Sequence, residues 1–69
     1  MLYEIAGNYN QFRFLLKGRN LKPRDAIYIS SRKTCDKITK DDEIVRIGSY
    51  YERMDLEDIE KAIKERLDQ

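Results

Sequence analysis

Residues 31–42, SRKTCDKITKDD, decide the topology of this chain, because they join two strongly apolar segments. The segments, AIYIS at 26–30 and EIVRIG at 43–48, are rich in β-branched and aromatic residues, which favour strands. Both carry apolar residues on both faces, as strands of a parallel sheet usually do. Parallel neighbours need a crossover of about a dozen residues. We therefore predict a short crossover helix over 32–38, with a long polar hairpin loop as the alternative.

The N-terminal segment alternates between apolar and polar residues. LYEIA at 2–6 and QFRFLLK at 11–17 are separated by GNYN, whose residues favour a tight turn. In the second run Phe12, Phe14 and Leu16 recur with a period of two, which is typical of a half-buried strand. The pattern predicts a β-hairpin over residues 2–17.

The C-terminal segment LEDIEKAIKERL, residues 56–67, predicts an amphipathic helix. Leu56, Ile59, Ile63 and Leu67 are spaced by three, four and four, which places them on one face of a helix. Asp55 precedes them at the position of a helix cap. A helix with one apolar stripe is expected to pack on a sheet.

Together these elements predict one small α+β domain over residues 1–69, with the hairpin extended to a four-stranded sheet and covered by the C-terminal helix. At this length a single core supplies only a few kcal/mol of net stability, about 3–5, so a homodimer is compatible with the sequence. The expected core consists of Leu2, Ile5, Phe12, Phe14, Leu16, Ile27, Ile29, Val45, Ile47, Leu56, Ile59, Ile63 and Leu67.

Composition excludes several classes of function. There is no histidine and only one cysteine, Cys35, so imidazole catalysis, most zinc sites and an internal disulfide are excluded. The acidic run 41–43 lacks the spacing and glycine of an EF-hand. No run of about 18 apolar residues and no signal-peptide pattern is present, so we expect a cytoplasmic protein without membrane contact. We expect no cofactor, no metal and no enzymatic activity.

The net charge of +1 conceals two oppositely charged segments. Residues 11–40 carry nine Lys and Arg against two Asp, and residues 41–69 carry five against ten Asp and Glu. The basic segment is either a phosphate-facing surface or an ordinary solvated surface whose cations pair with the acidic helix. The candidate binding residues are Arg13, Lys17, Arg19, Lys22, Arg24, Tyr28, Arg32, Lys33, Tyr50 and Tyr51.

The last two tyrosines in that set follow the fourth predicted strand, where open sheets tend to place ligand sites. The leading hypothesis is a small non-catalytic protein-binding module, a regulator or inhibitor of the kind common in bacteria and their phages, that acts through its charged surfaces. The alternative hypothesis is a nucleic-acid-binding protein that uses the basic residues of 11–40, with Tyr28 stacking on bases.

Overall fold

A computed structural model describes residues 1–68 as a small α+β domain, which confirms the predicted class. Three strands and two α-helices form it, joined in part by three short 3₁₀ helices. The strands are β1 (Leu2–Ile5), β2 (Ala26–Tyr28) and β3 (Glu43–Arg46), the helices are α1 (Tyr9–Gly18) and α2 (Leu56–Leu67), and the 3₁₀ helices are Pro23–Asp25, Arg32–Lys37 and Tyr50–Glu52. The boundaries of α2 are those predicted from the sequence.

The sheet is parallel throughout, in the order β2-β1-β3. On the central strand, Tyr3 is paired with Ile27 on one side and with Ile44 on the other. The chain crosses from β1 to β2 through α1 on one face, then returns past β1 to β3 through Arg32–Lys37 on the opposite face. Because both the direction and the face are reversed, the two crossovers have the same hand, as parallel connections require.

The predicted hairpin and the four-stranded sheet are wrong, because residues 9–18 form a helix. Asn8 is the N-cap of α1, and its Oδ1 accepts a hydrogen bond from the backbone nitrogen of Gln11 at 3.0 Å. Phe12 and Leu16, which are four residues apart, are buried on the same side of the helix. Phe14 lies two residues from each, about 200° around the helix axis, and is exposed rather than in the core.

The crossover predicted over 32–38 is confirmed in position, as the 3₁₀ helix Arg32–Lys37. Cys35 and Ile38 are fully buried and pack in the same cluster as Ile59 and Ile63 of α2. The Nε of Arg66 donates to the carbonyl oxygen of Ile38 at 3.1 Å, which ties the C-terminal turns of α2 to the end of this crossover.

The apolar core has one cluster on each face of the sheet. The α2 cluster contains Tyr3, Ile5, Ile29, Cys35, Ile38, Ile59 and Ile63. The smaller α1 cluster contains Ala6, Phe12, Leu16 and Ala26. Every predicted core residue except Phe14 is buried or half-buried, and the buried set also includes Tyr3, Ala6 and Ala26, which the core prediction omitted. Over residues 1–68 no helix is long and apolar enough to cross a membrane.

Candidate binding surface

The crevice between the carboxyl ends of β1 and β2 is occupied by the guanidinium of Arg53. The connections that follow these two strands lie on opposite faces of the sheet. Open parallel sheets bind ligands at the crevice between two such strands. Here the Nη1 of Arg53 donates to the carbonyl oxygens of Ala6 (3.2 Å) and Ile29 (2.6 Å). The Arg53 side chain is only 8% exposed, so this crevice is closed by the protein itself.

The neighbouring crevice, between the carboxyl ends of β1 and β3, is occupied by the side-chain amide of Gln11. Its Oε1 accepts from the backbone nitrogens of Gly7 (3.0 Å) and Ser49 (3.1 Å), and its Nε2 donates to the Oγ of Ser49 (2.9 Å). A Cβ at Gly7 would collide with Ser49, and one at Gly48 would collide with Gln11. Glycine therefore permits this close approach, and the second crevice is also filled.

An aromatic cluster lies beside the first crevice. The rings of Tyr9, Phe12 and Tyr28 are 5.5 to 5.6 Å apart pairwise, and the Arg53 guanidinium lies 5.6 Å from the centre of the Tyr28 ring. Tyr28 is thus half-buried in the packing of the domain rather than free to stack on a ligand. The 3₁₀ helix that follows β3 places Tyr50 against the α2 cluster and leaves the ring next to it, Tyr51, exposed.

The outward surface of α1 combines an exposed aromatic ring with two cations. Asn10, Arg13, Phe14 and Lys17 lie on one side of the helix and line a shallow depression of about 220 Å³; we call these four residues the α1 patch. Phe14 is 81% exposed, although a phenylalanine that becomes buried gains about 1.5–3 kcal/mol. The corrected helix therefore moves Phe14 from the predicted core to the centre of a candidate binding surface.

Within residues 1–68, the two cations of the α1 patch form no ion pair. Helix α1 contains no acidic residue. In the part of the chain that the structure describes, the ion pairs join the N-terminus to Asp42, Arg46 to Glu60, and Arg53 to Asp55, and none involves Arg13 or Lys17. Within residues 1–68, pairing between these two cations and the acidic helix, which was one interpretation of the sequence, does not occur.

The other predicted cations lie elsewhere on the domain. Arg19, Lys22 and Arg24 follow α1 and precede β2, at the amino ends of the strands. Arg32 and Lys33 lie on the opposite face, in a groove of about 420 Å³ between the crossover and α2 that is also lined by acidic residues. Arg32 and Lys33 therefore do not share a surface with the cations of α1.

A buried carboxylate on the central strand was not anticipated from the sequence. Glu4 is 0% exposed, and neither of its carboxylate oxygens has a hydrogen-bond partner within residues 1–68. Burial raises the pKa of this carboxyl from 4.5 to about 7, and the Arg19 guanidinium partly opposes that rise. A signal for it exists in the sequence, because the central strand of a parallel sheet is covered on both faces and leaves no solvated position for Glu4.

Neither an exposed thiol nor a cluster of metal ligands is present within residues 1–68. Cys35 is buried, and burial raises the pKa of its thiol, which disfavours the reactive thiolate. Within residues 1–68 no three potential metal ligands among the Cys, Asp and Glu side chains come together.

In comparisons with known proteins, no family model matches this chain, and neither a curated protein nor a solved structure gives a significant match.

Proposed function

We propose that this protein is a small non-catalytic protein-binding module, a regulator or inhibitor, that docks through the α1 patch. The observation that supports it is Phe14, an exposed ring between two cations that lack a carboxylate partner in residues 1–68. The partner surface that complements it is an apolar pocket, which receives the ring, with an acidic rim that faces Arg13 and Lys17.

The energetics of protein interfaces favour this arrangement. Aromatic and arginine side chains supply most of the binding energy at interface hot spots, where they enter desolvated pockets. Cations around such an anchor accelerate association and exclude partners of the wrong charge. Two α1 patches would bring like charges together, so a homodimer that pairs α1 with α1 is disfavoured.

Photo-cross-linking in cells of the source organism tests this proposal. A benzoylphenylalanine placed at position 14 is expected to give a discrete protein adduct, and one placed at the exposed Tyr51 is not. Charge reversal of Arg13 and Lys17 should abolish the adduct, whereas Met54→Ala, which changes another fully exposed side chain, should leave it intact. Equal adducts at positions 14 and 51, or none at either, would contradict docking through the α1 patch.

Nucleic-acid binding is the second candidate function. The observation that favours it is the set of five cations, with no acid between them, from α1 to the 3₁₀ helix before β2: Arg13, Lys17, Arg19, Lys22 and Arg24. Phosphate contacts would make affinity fall steeply with salt. Fluorescence anisotropy with single-stranded RNA and duplex DNA across a salt series decides the question: charge reversal at Arg13, Lys17 and Arg24 should abolish binding, and absence of binding at low salt excludes this function.

A further inference from the structure

The Glu4 carboxyl occupies an unusual position, because it is a buried acid without a hydrogen-bond partner in residues 1–68, beneath the helix that carries the α1 patch. In the parallel register Glu4 lies between Tyr28 of β2 and Val45 of β3. Neighbouring positions of β1 alternate between the two clusters: Tyr3 and Ile5 face α2, whereas Ala6 faces α1. Glu4 therefore points to the face that α1 covers.

The surroundings of Glu4 offer little to stabilise a negative charge. Phe12 and Leu16 of α1 pack over this face of the sheet. Val45 lies beside Glu4 on β3, and Tyr28 lies beside it on β2, with its ring against Phe12. Arg19, at the C-terminal cap of α1, is the cation whose field reaches the carboxyl. An ionised carboxylate buried without hydrogen bonds is strongly disfavoured, so the closed arrangement favours the protonated form of Glu4.

We propose that Glu4 is a pH-sensitive latch for α1: protonation of the carboxyl favours the helix seated on the sheet, and ionisation of the carboxyl shifts the equilibrium towards release of the helix. The α1 cluster is the smaller of the two, with four buried residues. Detachment of α1 therefore exposes fewer buried apolar residues than detachment of α2. Burial among apolar side chains raises the pKa of the Glu4 carboxyl to about 7, so the carboxyl of the seated form titrates near neutral pH. This inference rests on the proposed function, since it makes docking through the α1 patch weaker as the pH rises.

Amide hydrogen exchange of the isolated protein tests the latch. The exchange rates are first corrected for the intrinsic dependence of exchange on pH. The opening constant of the α1 amides from Phe12 to Lys17 should then rise about tenfold per pH unit between pH 5 and 7, because opening releases one proton. Above pH 7 the opening constant should level off. The amides of Ile59 and Ile63 in α2 serve as the internal reference, because they lie in the larger core cluster and exchange when the whole domain unfolds. Their opening constant should be smaller than that of the α1 amides at each pH.

Two neutral variants control for the loss of a buried group. Glu4→Gln and Glu4→Met should both give an α1 opening constant that does not change between about pH 5 and 8. A wild-type opening constant that is flat with pH, a rise that persists in both variants, or equal opening constants for the α1 and α2 amides would each overturn the latch. Since no partner is used, failure of the latch is distinguishable from failure of cross-linking at position 14.

Discussion

The Nη1 of Arg53 donates to the carbonyl oxygen of Ile29 at 2.6 Å, across 24 residues of sequence. The other donors of the guanidinium reach Ala6, Ser30 and both carboxylate oxygens of Asp55, so each of its five N–H groups has an acceptor. One side chain thereby joins the ends of β1 and β2 to the start of α2. Because both carboxylate oxygens of Asp55 bind Arg53, the Asp55 side chain makes no capping hydrogen bond at the N-cap of α2.

Arg53→Ala is expected to cost about 3 kcal/mol of unfolding free energy, because it leaves main-chain carbonyls unsatisfied and Asp55 unpaired. Arg53→Lys should recover only part of this loss, since an ammonium cannot reproduce the planar fork. Urea unfolding followed by circular dichroism measures both.

Arg46→Ala is the matched control for that prediction. Arg46 also binds a carboxylate with two nitrogens, that of Glu60 at 3.0 and 2.6 Å, but both side chains of this pair are 38% exposed. The expected loss is below about 1 kcal/mol, because water competes for exposed ion pairs. Equal losses at positions 46 and 53 would show that the contribution of Arg53 does not depend on its burial.

Gly48→Ala and Gly18→Ala should change stability in opposite directions. Gly48 has a φ of +58°, and a Cβ there would collide with the Gln11 amide that fills the β1–β3 crevice. Gly18 ends α1, and a Cβ added there would meet no neighbouring atom within 4 Å, so alanine at that position gains up to about 0.5–1 kcal/mol from helix propensity. Thermal unfolding should show a lower midpoint for Gly48→Ala and a higher one for Gly18→Ala; equal shifts would contradict this account of the crevice.

The sequence predicted the C-terminal half of the fold better than the N-terminal half. The spacing of Leu56, Ile59, Ile63 and Leu67 is compatible with a helix only, whereas Phe12 and Leu16 fall on one side of both a strand and a helix. The signal that distinguishes them is Asn8 followed three residues later by Gln11, a pattern that marks the start of a helix. Once β2 and β3 are parallel to β1, β1 also needs a crossover, and α1 supplies it.

The candidate binding surface could be predicted less well than the fold, because the residues that form it depend on the element that carries them and on contacts distant in sequence. Arg13 and Lys17 were identified, but Phe14 was assigned to the core with the strand that carried it. The roles of Arg53 and Glu4 depend on contacts with residues distant in sequence, such as Ile29 and Val45, which periodicity along the chain does not encode.

Glu4→Gln is expected to stabilise the protein relative to the wild type, and increasingly so as the pH rises. The folded-state pKa of about 7 lies above the unfolded value of 4.5, so the stability associated with the protonated carboxyl is fully present below pH 4.5 and is lost as the pH rises through 7. The difference in unfolding free energy between variant and wild type should grow by about 3 kcal/mol from pH 4.5 to 8.

Urea unfolding of the two proteins in parallel isolates this effect. Asp42, whose pKa is lowered by the backbone hydrogen bond from Thr39 and by the N-terminal ammonium, titrates in both proteins and cancels in the difference. A difference that does not change with pH would mean that the pKa of Glu4 is the same in the folded and in the unfolded protein.

Phe14→Ala is expected to leave the unfolding free energy within about 0.5 kcal/mol of the wild type, because the ring is 81% exposed and alanine has the higher helix propensity. Phe12→Leu, which changes the buried ring two residues earlier, should cost roughly 1 kcal/mol by altering the shape of the α1 cluster. A hairpin would make both positions sensitive, since residues 12 and 14 would then face the same core. Urea unfolding of the two variants therefore separates helix from strand, and retained stability in Phe14→Ala would assign any loss of partner binding in that variant to the docking surface.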